Sequence, residues 1–272
     1  EDDFHRIELN YINAMGRLAE VEGEAEIWRD LRMKLFIQTP DLKKQYARSP
    51  AWLQQLMVGF ADGLNYYLHT HPEVKPRLIS HFEPWMALAF SEGSIGGDIE
   101  SINLQQLEAL YAQAPSIANN KLSLQVGTLL ASHSPVETTT KLPEPSGSNG
   151  FAIAPSRTAN GQAMLLINPH TSFYFRPEVH MTSSQGLNAY GAVTWGQFFI
   201  YQGFNEKCGW IHTSSQVDAA DTYIEKMSKK GKNWFYTYEG KQRKVMTKNI
   251  TIRSKEGNKL ESTTIQALYT HH

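Results

Sequence analysis

The chain has 272 residues, 41% of them hydrophobic, so it can bury the core of one large domain or of two small ones. Its 26 lysine and arginine residues nearly balance 27 aspartate and glutamate residues, without a basic block that would hold a phosphate backbone, which argues against nucleic acid as a partner. A single cysteine, Cys208, excludes an internal disulfide, and no apolar run reaches the roughly 20 residues that a membrane-spanning helix needs.

The first part of the chain has the spacing of amphipathic helices. Apolar residues recur at three- and four-residue steps from Phe4 to Leu18, which predicts one buried helix face. A second such run, Trp52–Leu68, stops before His71–Pro72 and includes Leu56 on its apolar side. A third begins after Pro84, breaks at "GSIGGD" and resumes as "IESINLQQLEALYAQ". We therefore expect a mostly helical region over residues 1–120.

The composition and the spacing of apolar residues change after this helical region. Residues 121–147 end in "SPVETTTKLPEPSG", which is rich in Ser, Thr and Pro and is typical of a solvated spacer. From Ser148 onward, short β-type runs such as "FAIA" and "AMLLI" alternate with turn signals such as Asn160–Gly161. The sequence therefore predicts an α+β fold, with hairpin-connected strands over residues 148–272.

The segment "SGSNGFAIAPSRTANGQAMLLINPH" raises a chemical question about Ser148. Serine is a poor nucleophile until a base takes its proton, and no histidine or lysine lies within five residues of it. A cut between Gly147 and Ser148 would supply the base, because it releases an α-amino group with a reference pKa of about 7.7 to 8.0. Gly147 would also permit the strained turn needed for attack by Ser148 on the preceding carbonyl. An ordinary Gly-Ser-Asn turn is the structural alternative.

Three segments resemble the penicillin acylases (penicillin amidases), which are N-terminal nucleophile hydrolases. They are "GSNGFAIAPSRTANGQAMLLINPH", "GFNEKCGWIHTSSQVDAADTYIEK" and "DDFHRIELNYINAMGRLAEVEGE". The resemblance implies a four-layer αββα sandwich, built from a precursor that cuts itself into associated α and β chains. It implies hydrolysis of a small-molecule, non-peptide amide, such as a penicillin, a cephalosporin or another N-acyl compound. A fragment of a longer, periplasmic or secreted precursor is expected.

The same resemblance assigns roles to particular residues. Ser148 would be both the residue of self-cleavage and the nucleophile, and His170 would hold its surroundings and help the oxyanion hole. The backbone N–H of Ser214 would be an oxyanion donor, a role that tolerates almost any side chain. The asparagine that completes the hole in relatives would lie beyond residue 272. A satisfied polar residue beside a turn is the alternative for His170.

A structural calcium ion is also implied. Asp218 and Asp221 match the spacing at which many relatives bind Ca²⁺, a cation that prefers oxygen ligands. Glu100 would be a third ligand, with Asp98 as an equally placed rival. Solvated turn acids are the alternative for the two aspartates.

The acyl pocket is the least defined part of the prediction. By resemblance, its apolar candidates are Trp85, Met86, Phe90, Phe173 and Tyr174, and core packing is the alternative for each of them. Two other functions stay open. One is an acyl-homoserine lactone acylase, which differs mainly in the acyl pocket, and the other is a non-catalytic relative that keeps the scaffold.

Overall fold

A computed structural model of the chain describes residues 3–90, 99, 102–112, 148–170, 176–213, 223–231 and 233–271. Every regular element described before residue 113 is helical, and every element described after residue 147 is a strand except for one short 3₁₀ turn. The α+β class is therefore confirmed. The predicted spacer, 121–147, lies outside the described residues.

Six α-helices and eleven strands are described. The helices are α1 (Phe4–Ala14), α2 (Ala19–Glu22), α3 (Ile27–Phe36), α4 (Thr39–Arg48), α5 (Ala51–Thr70) and α6 (Leu104–Ala112), with 3₁₀ turns at Glu24–Glu26, Pro84–Ala89 and Pro155–Arg157. The strands are β1 (Ser148–Ile153), β2 (Met164–Pro169), β3 (Glu178–Thr182), β4 (Asn188–Ala192), β5 (Gln202–Phe204), β6 (Gly209–Trp210), β7 (Met227–Lys230), β8 (Asn233–Tyr238), β9 (Lys241–Lys244), β10 (Met246–Glu256) and β11 (Lys259–Tyr269).

The chain divides into two compact units that each combine helices with strands. The first unit holds the described residues within Glu1–Ala14, Thr39–Asp98 and His133–Ser215, and the second holds those within Met15–Gln38, Ile99–Ser132 and Gln216–His272. The first unit therefore contains α1, α4, α5 and β1 to β6, and the second contains the remaining helices and strands.

The helices of the first unit follow the apolar periodicity with two differences. Helix α1 ends at Ala14, within the predicted apolar stripe, because Gly16 takes a left-handed φ of 61° that breaks helical geometry. Helix α5 ends at Thr70, ahead of His71–Pro72, as predicted. Its buried residues are Met57, Ala61 and Leu64. A face centred on these residues turns Leu56 toward solvent, although the periodicity placed Leu56 on the apolar side of the helix.

The strands of the first unit form two antiparallel sheets. Strands β1 and β2 make a two-stranded hairpin, and β3 to β6 make a four-stranded meander. Ala189, Val193 and Ile200 form the apolar core of the meander. The apolar run "QFFIYQG" at residues 197–203, which also has β-type composition, contributes only Gln202 and Gly203 to β5. The predicted hairpin connections are therefore confirmed, while the strand bounds differ from the apolar runs.

The second unit packs short helices on a long hairpin. Strands β10 and β11 pair antiparallel over eleven residues each. The buried core that they share with the helices consists of Ala19, Ile27, Leu31, Leu107, Tyr111, Ile250, Ile252, Ile265 and Ala267. Strands β7 to β9 form a separate antiparallel sheet. Alternate burial of Ile250, Ile252 and Ser254 shows the period-two pattern of a strand with one covered face.

Candidate active site

Ser148 lies at the first residue of β1, where the hairpin register brings it to the end of β2. Ser148 is opposite Pro169, and Asn149 is opposite Asn168, so His170 follows directly beside the start of β1. The turn that closes this hairpin includes Asn160 and Gly161, and Gly161 has a φ of 68°, which glycine adopts without steric cost. The pairing brings together Ser148 and His170, the two described residues to which the sequence assigned catalytic roles.

The two faces of the hairpin differ because side chains alternate along a strand. Ser148 shares its face with Gly150, and a Cβ at Gly150 would lie 3.0 Å from a methyl group of Ile211. The absent side chain at Gly150 therefore lets the segment after β6 pack closely against β1. The opposite face carries Asn149 and then exposed apolar side chains such as Phe151, whose exposed fraction is 60%.

Thr213 connects Ser148 to the segment after β6. Its hydroxyl donates to the backbone carbonyl oxygen of Ser148, with an O–O distance of 2.9 Å. The residue before it is held as well, because the side-chain amide of buried Gln202 donates to the carbonyl of His212 at 2.9 Å. The chain is thus held at His212 and at Thr213, immediately before Ser214. Ser214 itself, like Gly147, lies outside the described residues, so its predicted role as an oxyanion donor stays a prediction.

Two asparagine side chains surround the ring of His170. The Nδ2 atom of Asn149 lies 3.0 Å from His170 Nε2, and that of Asn168 lies 3.3 Å from the same ring nitrogen. Both asparagines are exposed and His170 is half-buried. Sequence reasoning missed both asparagines and Thr213, although the residues adjacent to Ser148 and His170 on paired strands were the positions at which to look.

Three of the acyl-pocket candidates can be located. Trp85 and Met86 are buried in the 3₁₀ turn Pro84–Ala89, and Phe90 follows it. The ring of Phe90 packs edge-to-face on Tyr11, with centroids 4.9 Å apart. The Tyr11 hydroxyl donates to the carbonyl of Gly196 at 2.8 Å, and burial raises its pKa. These contacts belong to the core of the first unit, so a pocket role for Trp85, Met86 and Phe90 stays a prediction.

The other two pocket candidates, Phe173 and Tyr174, lie outside the described residues, as do the metal candidates Glu100, Asp98, Asp218 and Asp221. Within the ranges that are described, no group of three or more His, Cys, Asp or Glu side chains could hold a metal ion. The calcium site therefore stays a prediction. Among the described helices, none is both long and apolar enough to cross a bilayer.

Known proteins resemble this chain over most of its length. The penicillin amidase family matches residues 1–272, which is the full chain. Similar relatives include the acyl-homoserine lactone acylase QuiP of Pseudomonas fluorescens, 25% identical over 89% of this chain and 33% of the relative, and QuiP of Pseudomonas aeruginosa, 26% identical over 84% and 31%. The acyl-homoserine lactone acylase PvdQ of Pseudomonas putida is 26% identical over 60% of this chain and 22% of the relative.

The chain matches only part of the length of these relatives. The chain spans 33% of the first of these relatives, so it corresponds to about one third of that length. Ser148, the start of β1 and the His170 end of β2 all lie within the matched range. A family match over every residue, together with an exposed hairpin that joins a serine to a histidine, leaves one conclusion. The chain belongs to the penicillin amidase family.

Proposed function

We propose that the protein is an amidohydrolase that cleaves a non-peptide amide with Ser148 as its nucleophile, after the chain cuts itself between Gly147 and Ser148. The observation that supports this most directly is the position of Ser148 at the start of β1, beside the His170 end of β2. A cut at the start of a strand leaves the hairpin intact, because the residues after the cut keep their backbone pairing with β2.

Self-cleavage would give Ser148 its own base. The released α-amino group has a reference pKa of about 7.7 to 8.0, so it can accept a proton at neutral pH. In the first step, Ser148 Oγ attacks the amide carbonyl carbon while the amine takes the hydroxyl proton. The C–N bond then breaks, the amine passes that proton to the leaving nitrogen, and an acyl-enzyme ester remains. Water next attacks the ester with the amine as base, which releases the acid and restores the serine.

Neighbouring groups would support this reaction. In the proposal, His170 organises the surroundings of Ser148, and the backbone N–H of Ser214 donates to the oxyanion. Loss of one such donor typically raises the barrier by about 3 to 4 kcal/mol. Thr213 favours this arrangement because its hydrogen bond to the Ser148 carbonyl fixes the nucleophile relative to the segment that continues into Ser214.

Two substrate classes are candidates. The family favours penicillins, cephalosporins or other N-acyl amides, while the names of the relatives QuiP and PvdQ favour acyl-homoserine lactones. Selectivity between these two substrate classes would arise in the acyl pocket. The candidate residues for this pocket are Trp85, Met86, Phe90, Phe173 and Tyr174. A panel of acyl chains assayed on the full-length protein separates the classes. Release of free homoserine lactone supports the second, and release of a β-lactam nucleus or an aromatic acid supports the first.

Mass spectrometry of the full-length protein tests the proposed nucleophile. We expect two chains, one beginning at Ser148, and amide hydrolysis by the processed protein. Ser148→Ala should leave a single chain and abolish hydrolysis, with a loss of roughly 10⁴-fold or more. Ser156→Ala, in the 3₁₀ turn of the same hairpin, removes an exposed hydroxyl away from the strand start and should change neither result. An uncut wild-type chain, or full activity in Ser148→Ala, would show instead a non-catalytic relative or another nucleophile.

Further features accompany the proposal. The fold would complete the αββα sandwich of N-terminal nucleophile hydrolases, with the two chains of one precursor staying associated. Asp218, Asp221 and Glu100 would hold a structural calcium ion through carboxylate oxygens. A periplasmic or secreted location is the compartment that the family favours.

A further inference from the structure

The histidine of the candidate site is held at one ring nitrogen. Asn149 Nδ2 and Asn168 Nδ2 approach the same atom, His170 Nε2, at 3.0 and 3.3 Å. The two asparagines occupy directly opposed positions of the β1–β2 register, so their side chains project from the same face of the hairpin. The backbone pairing of the hairpin therefore determines this arrangement, since a shift of one strand by one residue would place the two amides on opposite faces.

The chemistry of the three side chains limits the protonation of the ring. An amide nitrogen only donates hydrogen bonds, and in neutral imidazole one ring nitrogen donates while the other accepts. Nε2 can therefore satisfy either amide only when it carries the lone pair. Two bonds of this kind would leave the ring proton on Nδ1. Which nitrogen of a histidine carries the proton is set in general by the hydrogen bonds that the other nitrogen makes.

We propose that Asn149 and Asn168 are positioning residues that hold His170 as the neutral tautomer with its proton on Nδ1. The inference rests on the proposed function, because a fixed ring at the His170 end of β2 affects catalysis only if the start of β1 carries the nucleophile. It adds two residues that act through His170 to the proposed site. It also agrees with a free α-amine as the base, because the clamped Nε2 is occupied and does not serve as an acceptor for the serine proton.

Substitution of the amides by carboxylates reverses the hydrogen-bond polarity while nearly preserving shape. A carboxylate only accepts hydrogen bonds, so Asn149→Asp combined with Asn168→Asp requires a proton on Nε2. The full-length protein, labelled with ¹⁵N in histidine rings, reports which nitrogen is protonated through its NMR shifts, and the His170→Gln variant identifies the signals of this residue. We expect Nδ1–H in the wild type and Nε2–H in the double variant.

A matched control lies in the same hairpin. Asn160 sits at the turn, where its Oδ1 accepts from the N–H of Gln162 at 3.1 Å, a bond that aspartate can also accept. Asn160→Asp makes the same chemical change at the far end of the hairpin from His170, so it should leave the tautomer unchanged. A wild-type ring with its proton on Nε2, or a double variant whose tautomer equals that of the wild type, overturns the proposal.

Kinetics with octanoyl-4-nitroanilide as the probe give a second readout. For the double variant we expect kcat to fall by roughly 10- to 100-fold, as when the hydrogen-bond partner of a functional histidine is lost, with KM nearly unchanged. Chain cleavage, followed by mass spectrometry, shows that the variant folds. An unchanged kcat would overturn the positioning role. The tautomer measurement needs no substrate, so failure of the proposed nucleophile, seen as activity in Ser148→Ala, is distinguishable from failure of this inference.

Discussion

Two regions of the molecule use polar side chains in opposite ways. Glu8 in α1 is fully buried, and its carboxylate accepts from the backbone N–H groups of residues 77, 78 and 79 at 3.0, 2.7 and 2.9 Å. Around Ser148, by contrast, the side chains of Asn149, Asn168 and Thr213 are exposed, and each makes one hydrogen bond to another described residue. A buried carboxylate with several donors stabilises a fold, since each donor would otherwise be unsatisfied. Exposed polar groups at a strand end contribute less to stability and remain accessible from solvent, as the proposed function requires.

The second unit also contains a buried carboxylate that accepts hydrogen bonds from backbone N–H groups. Asp30 in α3 is fully buried and accepts from the N–H groups of Leu18 and Ala19, both at 2.8 Å. These donors belong to the start of α2, where helical N–H groups lack intrahelical partners. Stability and activity should therefore respond to different substitutions, and three experiments test this separation.

The largest effect on stability is expected at Glu8. Glu8→Ala leaves three backbone N–H groups without their acceptor, and we expect the free energy of unfolding to fall by roughly 3 kcal/mol or more. Denaturant unfolding followed by tryptophan fluorescence measures the change. Glu73→Ala, at an exposed position, is the control and should stay within about 0.5 kcal/mol of the wild type. A loss of activity in Glu8→Ala without a loss of stability would contradict a purely structural role.

A smaller, pH-dependent effect is expected at Asp30. Burial raises the pKa of Asp30 to about 6, although the N–H groups of Ala19 and Leu18 and the charge of Lys34 act in the opposite direction. The folded protein thus holds this proton more tightly than the unfolded chain, whose aspartate pKa is about 3.9. Asp30 therefore favours the folded state at low pH, and this contribution disappears as the pH rises from about 4 to about 6.

Comparison with Asp30→Asn isolates this effect. The wild type should lose about 2 kcal/mol of unfolding free energy relative to the variant between pH 4 and pH 7. Glu20 is present in both proteins. Burial alone would raise its pKa, but hydrogen bonds and charges of Arg17 and Arg253 together lower it. The pH dependence that Glu20 contributes is therefore common to wild type and Asp30→Asn. Unfolding free energies that vary with pH in parallel for the two proteins would refute the assignment to Asp30.

Features that depend on residues close together in the chain could be predicted from the sequence. The ends of α5 and the β1–β2 hairpin depend on local signals, namely Pro72 and the turn at Asn160–Gly161, and both were predicted. The pairing of Ser148 with the His170 end of β2 follows from this hairpin. The family was predicted from motifs within single segments, and the match over the full chain confirms it.

Interactions between distant residues were not predictable in this way. Glu8 meets its donors across 69 to 71 residues, and Thr213 meets Ser148 across 65. The helical pattern shows that Glu8 shares a face with Phe4 and Tyr11. It does not show that the backbone N–H groups of residues 77–79 would donate to the buried carboxylate and so offset the cost of its burial. The asparagines at 149 and 168 became visible as a pair only through the strand register.

The smallest change in free energy, and the sharpest test of the comparison, is expected at Thr213. Thr213→Val removes the hydroxyl that donates to the Ser148 carbonyl while keeping the shape of the side chain. Loss of an exposed hydrogen bond is worth about 1 kcal/mol, so we expect kcat/KM for the probe amide to fall by roughly 5- to 10-fold.

Thermal unfolding distinguishes positioning of the nucleophile from a general structural role. Thr213→Val should unfold within about 0.5 kcal/mol of the wild type, because the side chain is exposed. Thr237→Val, at an exposed position of β8, controls for the same loss of a hydroxyl in a strand of the second unit and should change neither stability nor kcat/KM. If Thr213→Val lost stability and kept its activity, the bond to Ser148 would belong with those of Glu8 and Asp30. The proposed separation between structural and catalytic polar groups would then fail at a residue that contacts Ser148 directly.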